Sequence, residues 1–231
     1  MIILIQGAMD CELDVLTEYF APLKAKTVAG YDFFISSYKG NDIVLSKTEV
    51  GLINASAATV IGINEFSPAL VINQGCAGGH IPEIKNGELV IGEKSVYINN
   101  FYTHPKGAGE GSDSLDWYPS KRSYVVPSTP EYVQLADSIA FDGKKRVGTL
   151  GSGDMFSQEV DRINYLHGLF GELCEDMESV AALKVCEVFG VDRLALRIIS
   201  NNEITLQAFD YGVCKTLQKF VIALVDKIIG A

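Results

Sequence analysis

Residues 2–20 read IILIQGAMDCELDVLTEYF and set the pattern that the rest of the chain repeats. The apolar run over 2–6 predicts a buried strand, and small residues then allow a tight turn at its end. Apolar positions such as Leu13 and Leu16 follow at helical spacing, which predicts an amphipathic helix over 10–19. A buried strand that turns into a helix is the basic unit of a sheet covered by helices.

The same alternation continues along the chain, and no change of composition divides it. We predict an α/β fold in which one domain, residues 1–231, holds a mixed central β-sheet flanked by helices in three layers. The stretch 99–128 is irregular, which is typical of a lid, a binding loop or an interface. The predicted strands are 31–38, 42–47, 69–73, 88–97, 146–151 and 193–200, and the predicted helices are 52–65, 130–140, 158–170, one from 178 onward and one at the carboxyl end.

The composition and charge of the chain argue against several classes of function. The 231 residues are 48% hydrophobic and 21% charged, with a formal net charge of −10, so a nucleic-acid partner is not expected. No apolar run is long enough for a membrane span or a signal peptide, which favours the cytoplasm. The five cysteines form no C-x-x-C pair and the three histidines lie far apart, so we expect reduced thiols, no metal site and no cofactor.

Ligands of α/β sheets bind beyond the carboxyl ends of the strands, so the residues that follow each strand deserve most weight. The first strand leads to GAMDCE with Glu12, the strand 69–73 leads to QGCAGG, and the strand 146–151 leads to GSGDMF with Phe156. Neither glycine-rich segment matches a dinucleotide fingerprint or a hydrolase nucleophile elbow. Small residues would let the backbone approach a flat ligand, and Phe156 would stack on it.

A second acidic segment, CEDMESV at 174–180, is predicted to open a helix with Glu178 at its N-terminus. A carboxylate held there can grip a sugar diol or stabilise a cationic transition state. Taken singly, each feature has an ordinary structural explanation: Glu12 as a solvated helix residue, the glycines as a tight turn, Phe156 as core, and Arg197 as half of a structural ion pair. Together, in this order on one α/β pattern, they outweigh these ordinary explanations.

The sequence resembles the 5′-methylthioadenosine/S-adenosylhomocysteine nucleosidases, within the wider superfamily of purine nucleoside and uridine phosphorylases. The resemblance rests on GAMDCE, NQGCAGG, SGDMF, EDMES and RIIS, which span residue 7 to about 210 in the family's order. It implies a homodimeric enzyme that cleaves the N-glycosidic bond of a purine nucleoside through a ribosyl cation. A loop of the neighbouring subunit would close over the 5′-substituent, and 99–120 is where we expect that loop.

The resemblance also implies residue roles. Glu12 would activate the attacking water with help from Arg197, Asn201 would stand at the position of the proton donor to the base, and Glu178 would bind the ribose hydroxyls. The residues implied to contact the substrate are Met9, Cys76, Ala77, Gly78, Phe156, Ser157, Asp176, Met177, Glu178, Ser200 and Phe209.

Water is the better candidate for the nucleophile than phosphate. A phosphorylase needs cations for inorganic phosphate, yet the first half of the chain contains no arginine and the hairpin region offers only Lys47. Thr48-Glu49 stands where the family has a small Ser-Gly pair, and a glutamate there opposes anion binding further.

Two departures from the family leave the substrate open. Cys76 replaces a serine of the water site, and Asn201 replaces the aspartate that is the proposed proton donor to purine N7. A carboxamide donates a hydrogen bond but cannot supply a proton. Asn201 therefore favours either a 6-oxopurine nucleoside, slow turnover of methylthioadenosine, or a purine-nucleoside binding protein without strong catalysis. Glu203 or Asp210 would substitute for the aspartate only if the loop brings one of them near.

Overall fold

A mixed β-sheet forms the centre of the molecule in the computed structural model, which describes residues 1–121 and 124–230. The strands are β1 (Ile2–Gly7), β2 (Lys24–Val28), β3 (Tyr31–Tyr38), β4 (Asn41–Lys47), β5 (Leu70–Gly79), β6 (Leu89–Tyr97), β7 (Phe101–Tyr102), β8 (Tyr118–Pro119), β9 (Val125–Pro127), β10 (Lys145–Ser152), β11 (Glu172–Asp176) and β12 (Asp192–Asn201). The helices are α1 (Asp14–Tyr19), α2 (Leu52–Phe66), α3 (Pro130–Ser138), α4 (Val160–Phe170), α5 (Ser179–Phe189) and α6 (Val213–Ile229), with short 3₁₀ turns at Asp10–Glu12 and Ser114–Asp116.

The strands of the main sheet pair in the order β11–β10–β6–β12–β5–β1–β4–β3–β2, with β9 beside β6. The pairs of β1 with β4 and β5, of β5 with β12, and of β10 with β6 and β11 are parallel. The end of β5 also pairs with β11 in the antiparallel sense, with Gly78 opposite Glu175 and Gly79 opposite Cys174. Strands β5, β12, β6, β10 and β11 therefore close into a ring, and the carboxyl ends of β1, β5 and β12 lie side by side.

Helices cover both faces of the sheet because successive strand residues point to opposite sides. Ile3 and Ile5 of β1 belong to the core that α1, α3 and α6 share, whereas Leu4 packs with Ile63 of α2 and Cys186 of α5. The predicted mixed α/β sheet between helical layers is confirmed. None of the helices in the described part of the chain combines the length and the apolar character that a membrane crossing requires.

Two local predictions are wrong, and one strand next to the site was missed. The strand predicted over 69–73 continues through QGCAGG to Gly79, because β12 and β11 pair with this segment on either side. Its glycines permit close packing: a Cβ on Gly75 would lie 2.7 Å from Glu12 Oε1. The segment 172–176 is the strand β11, which we did not predict, whereas the helix predicted from Glu178 onward is confirmed as α5, with Glu178 as its N-cap residue. The predicted helix 10–19 is interrupted at Leu13, where a 3₁₀ turn gives way to α1.

The irregular stretch 99–128 holds only short elements in its described part: β7, β8, β9 and one 3₁₀ turn. Strands β7 and β8 form a separate two-stranded sheet. Residues 122 and 123, which this prediction includes, lie outside the described residues. Strand β2 was also missed, since its alternation of lysines with small residues carries little apolar signal.

Candidate active site

A cavity of about 410 Å³ lies at the carboxyl ends of β1, β5 and β12, where β11 leads into α5. This volume falls in the range of small-molecule sites. Glu12 and Glu178 both line it, so the two acidic segments that are remote in sequence face one space. The lining residues are Ala8, Met9, Glu12, Val50, Cys76, Ala77, Gly78, Phe156, Glu175, Asp176, Met177, Glu178, Ser200, Asn201, Phe209 and Tyr211.

Backbone amides fix the Glu12 carboxylate. Its Oε2 accepts hydrogen bonds from the N–H groups of Ala8 (2.7 Å) and Met9 (3.2 Å), and its Oε1 accepts one from the N–H of Cys76 (2.9 Å). The side chain is only 3% exposed. These three donors belong to the turn after β1 and to β5, so the local fold positions the carboxylate without help from a ligand. Such a preorganised group can hold a water molecule in one orientation.

Glu178 caps the start of α5 and points back across the cavity to α2. Its Oε1 accepts a hydrogen bond from the N–H of Gly51 (3.0 Å), and its Oε2 lies 3.8 Å from Nη2 of Arg197. Burial raises the pKa of Glu178 to about 7, although the Arg197 charge lowers it. The carboxyl group therefore changes charge close to neutral pH, a behaviour typical of functional carboxylates.

Arg197 lies beneath the cavity and does not line it. The guanidinium is 1% exposed, donates to Asn73 Oδ1 (2.7 Å) and to the carbonyl oxygen of Leu196 (2.8 Å), and pairs with Asp176. Arg197 is therefore not among the residues that line the cavity. Its contacts are those of a residue that positions the neighbouring acids.

Asp176 lines the cavity, but its oxygens already have partners inside the protein. Oδ1 accepts hydrogen bonds from Ser152 Oγ (2.8 Å) and from the N–H groups of Glu178 (2.9 Å) and Ser179 (2.8 Å). Oδ2 accepts one from Ser179 Oγ (2.6 Å). Asp176 thus orients the first turn of α5, and with it Glu178, and these bonds leave its oxygens little capacity for a ligand.

A smaller hollow adjoins the cavity next to Phe156 and Asn201. Ser157, which is predicted to contact the base, lines this hollow and not the main cavity. Phe156 is 49% exposed, so its ring is free to stack on a ligand. This aromatic and glycine-lined end, called the base end below, is where the resemblance predicts the base to lie.

Asn201, at the end of β12, has an acid beside it. Its Nδ2 donates to Oε1 of Glu203 (3.1 Å), while its Oδ1 accepts a hydrogen bond from Ser200 Oγ (3.0 Å). Glu203 lines the smaller hollow as well. Of the two acids considered from the sequence, Glu203 is the one held against Asn201, because the Oδ1 of Asp210 accepts the N–H of Gly212 instead.

A buried histidine bridges two glutamates at the base end, and the sequence analysis missed all three. His80 Nδ1 lies 2.9 Å from Glu172 Oε1, and His80 Nε2 lies 2.9 Å from Glu175 Oε2. Burial lowers the pKa of His80, but the hydrogen bonds to both glutamates outweigh it and raise the pKa to about 9. Glu175 also accepts the N–H of Ser157 (3.3 Å) and lines both cavities.

Two carboxylates occupy the N-terminus of α2, where an anion would otherwise be attracted. Glu178 accepts the N–H of Gly51, and Asp154 Oδ1 accepts the N–H of Leu52 (2.7 Å). Lys47, the cation nearest in sequence, is paired with Asp10 (3.0 Å) and Glu49 (3.4 Å). This geometry does not favour an inorganic phosphate site.

The structure brings most of the predicted site residues to one place. Glu12 and Asn201, and the predicted substrate contacts apart from Ser157, line the main cavity. Ser157 lines the adjoining hollow and Arg197 lies behind Asp176 and Glu178. Their roles toward a substrate stay predictions. His80 carried no periodic or motif signal, and Glu175, although part of EDMES, was given no role; the unpredicted pairing of β11 with β5 brings the two together.

Comparisons with known proteins agree with this geometry. The sequence profile of the phosphorylase superfamily matches residues 2–229. A 5′-methylthioadenosine/S-adenosylhomocysteine nucleosidase of Marinomonas sp. (strain MWYL1) is 32% identical over 197 residues, covering 84% of this chain and 83% of that protein. A nucleosidase of the same name from Geobacillus kaustophilus is 30% identical over 199 residues, which cover 84% of this chain and 82% of that protein. The fold matches the crystal structure of a Campylobacter jejuni nucleosidase of the same name with a TM-score of 0.84 at 23% identity, covering 98% of this chain and 99% of that one.

Proposed function

Since the chain belongs to the 5′-methylthioadenosine/S-adenosylhomocysteine nucleosidases of the phosphorylase superfamily, we propose that it hydrolyses the N-glycosidic bond of such nucleosides. The products are the free purine and a ribose derivative. The observation that carries the proposal is that Glu12 and Glu178 line the same cavity. Residues 1–231 then form one nucleosidase domain.

Glu12 activates the nucleophile in this proposal. The three backbone donors hold its carboxylate at the cavity wall, where it accepts a proton from a water molecule. The water oxygen forms a bond to C1′ of the ribose while the bond from C1′ to N9 of the purine breaks with its electron pair. A general base of this kind contributes roughly 10²- to 10⁴-fold to the rate.

Glu178 binds the sugar. Its ionised carboxylate accepts hydrogen bonds from the ribose hydroxyls and stabilises the positive charge that develops on the ring. The buried Arg197 and Asp176 keep this carboxylate in place from below. Met9 and Met177 line the same region and offer apolar surface to the sugar.

Departure of the purine requires a hydrogen bond or a proton at N7. The Nδ2 of Asn201 supplies the hydrogen bond, and Glu203, 3.1 Å from that nitrogen, is the acid that can supply the proton. The loss of the family's aspartate is thereby offset by an acid two residues further along. Phe156 stacks on the base, and the backbone at Ala77, Gly78 and Ser157 contacts its edges.

An apolar rim around the cavity mouth supports a thioether substituent at the 5′ position. Val50, Phe209 and Tyr211 line the cavity and are 43%, 36% and 59% exposed. These surfaces fit the homodimer that the resemblance implies, in which a neighbouring subunit's 99–120 segment completes the mouth. A cytoplasmic enzyme of methionine salvage is the physiological role that follows.

Hydrolysis is preferred to phosphorolysis because the N-terminus of α2 is already occupied by Glu178 and Asp154. Inorganic phosphate binds where free N–H groups and unpaired cations converge. In this site the N–H groups of Gly51 and Leu52 face carboxylates, and Lys47 faces two acids.

A 6-oxopurine nucleoside is the second candidate substrate, and Glu175 is the observation that favours it. A carboxylate only accepts hydrogen bonds, and a 6-oxopurine offers it an N1–H, whereas adenine presents a lone pair at N1. Asn201 can donate to both O6 and N7 of the same base. This candidate changes the base and leaves the reaction at C1′ unchanged.

The proposal is tested by incubating the purified protein with methylthioadenosine or inosine in phosphate-free buffer and measuring the released base by chromatography. We expect adenine from methylthioadenosine and, when phosphate is added, neither 5-methylthioribose 1-phosphate from methylthioadenosine nor ribose 1-phosphate from inosine. Glu12→Gln should lower the rate by roughly 10²- to 10⁴-fold, whereas Glu18→Gln on the exposed side of α1 serves as the matched control.

Three other outcomes would each replace the proposal. Release of hypoxanthine alone would establish the 6-oxopurine candidate. Ribose 1-phosphate would establish a phosphorylase. Binding of methylthioadenosine without release of base from either nucleoside would establish a binding protein.

A further inference from the structure

Three cysteines from distant parts of the sequence meet beside Glu12. The Cys214 thiol lies beside the thiols of Cys11 and Cys76, and Cys76 lies against the Glu12 carboxylate. One ligand atom each from Glu12, Cys76 and Cys214 lies within 4.8 Å of the other two. The proposed hydrolysis assigns no role to Cys214.

The cluster is built into the fold. Cys214 lies in the first turn of α6 and is 1% exposed, and Gln218, one turn further along, fastens this helix to the segment that carries Cys11 and Glu12. The Nε2 of Gln218 donates to the carbonyl oxygen of Cys11 (2.9 Å), and its Oε1 accepts the N–H of Val15 (2.8 Å). Because Gln218 is fully buried, these bonds hold the thiols in place without solvent competition.

We propose that Glu12, Cys76 and Cys214 form an inhibitory binding site for a thiophilic divalent cation such as Zn²⁺ or Cd²⁺. Such cations bind a set of two thiolates and one carboxylate more tightly than Mg²⁺ or Ca²⁺ does. Tetrahedral zinc with bonds of about 2.3 Å to sulfur separates two sulfur ligands by about 3.8 Å. The three ligand atoms, all within 4.8 Å of one another, are close to this spacing.

The cavity supplies both the entry path and the fourth ligand. Glu12 and Cys76 line it, so a cation that enters from solvent meets them first. Binding breaks the S–H bonds of Cys76 and Cys214, forms two metal–sulfur bonds and one metal–oxygen bond, and releases two protons to solvent. A water molecule from the cavity completes the tetrahedron.

Occupancy of this site stops hydrolysis, if the proposed function holds, because the cation takes the Glu12 oxygen that would activate the water. A cation that binds here must displace the protons of both thiols. We therefore expect tighter binding as the pH rises.

Cadmium absorbance tests the site without using activity. The protein, freed of metal and kept reduced with a phosphine, is titrated with CdCl₂ while the ultraviolet thiolate-to-cadmium charge-transfer band is recorded. We expect a band that saturates at one cation per chain. Cys214→Ser should weaken binding by at least roughly 10- to 100-fold, the loss typical even of an outer-shell change.

Cys186→Ser is the matched control, because Cys186 is a buried thiol in a different core cluster, between α2 and α5. It should titrate as the unaltered protein does. No band, or a band that Cys214→Ser retains and Cys186→Ser loses, would overturn the proposal.

Nucleosidase assays then separate the two proposals. Cd²⁺ or Zn²⁺ should inhibit base release, a chelator should restore it, Mg²⁺ should have no effect, and Cys214→Ser should need a higher metal concentration for the same fractional inhibition. If the protein shows the cadmium band on titration but releases no base in the metal-free assay, the proposed function is refuted and the cation site stands.

Discussion

Arg197 and Asp176 form an ion pair beneath the cavity, with 3.2 Å between Nε and Oδ2 and both side chains buried. The same guanidinium approaches the Glu178 carboxylate, and the backbone N–H of Glu178 donates a hydrogen bond to Asp176 Oδ1. One buried cation thus serves two carboxylates, of which only Glu178 has an oxygen available to a ligand. Its charge opposes the rise of the pKa of Glu178 that burial causes.

We predict that kcat/KM for the nucleoside has an ascending limb with its midpoint at a pH of about 7. The pKa of Glu178 is raised to about 7, so the group is protonated below that pH and ionised above it. Only the ionised form stabilises a ribosyl cation, and kcat/KM reports the pKa of the free enzyme. The measurement is an initial-rate pH profile. Glu178→Gln should have low activity without this ascending limb, and a limb of the same midpoint in that variant would assign it to another group.

Arg197→Gln should move the same limb to higher pH, because the cation that lowers the pKa of Glu178 is removed. Arg197→Lys keeps the positive charge and should move the limb less. The pH profile of kcat/KM measures both shifts. Arg193→Gln, a partly exposed arginine on the same strand, is the control and should leave the midpoint in place. A midpoint that Arg197→Gln does not shift would show that the guanidinium has no electrostatic effect on the site.

The stability that protonated His80 contributes to the fold should be lost in mildly alkaline solution. Its pKa is raised from 6.5 to about 9, so its contribution is fully present below about pH 6.5 and is lost as the pH rises through about 9. The size is at most a few kcal/mol. Urea unfolding at a series of pH values measures it. His80→Gln should remove most of this pH dependence, His104→Gln on the exposed loop should keep it, and a wild-type stability that stays constant from pH 6.5 to 9.5 would contradict the argument.

The positions that were predicted well are those that local pattern and sheet geometry determine together. The apolar runs of β1, β5 and β12 could be recognised individually, and the carboxyl ends of parallel neighbours necessarily meet. Glu12 and Asn201, which follow such runs, were therefore expected in one cleft, and they line it. Glu178 was expected at a helix N-terminus and caps α5.

The features that were missed depend on contacts between distant segments. The pairing of β11 with β5 has no signal in either segment, yet it places Glu175 beside His80 and Gly78. The inward direction of Arg197 follows from its partners, which the sequence does not specify. Likewise, the loop after β12 could have carried Glu203 away from Asn201, and its position is set by Asn202, whose Oδ1 accepts the N–H groups of Ile204 and Thr205.

Glu203→Gln should slow the release of adenine, because this residue is the acid beside Asn201 and a carboxamide pair at 201 and 203 has no proton to give. We expect a loss on the scale of a general acid, roughly 10²- to 10⁴-fold in kcat. Asp210→Asn is the matched control, since this acid bonds to Gly212 and should leave kcat unchanged. Single-turnover assays with methylthioadenosine measure the chemical step for both variants.

Asn201→Asp should raise the turnover of methylthioadenosine, because a carboxyl group at 201 can both hydrogen-bond to N7 and deliver a proton to it. In this background the further change Glu203→Gln should cost much less than it does in the natural sequence, since two acids in one role are not additive. The double-mutant cycle of kcat at positions 201 and 203 measures this coupling. Equal losses from Glu203→Gln in both backgrounds would show that Glu203 acts independently of Asn201. A selective gain for inosine would instead assign the base end of the cavity to 6-oxopurines.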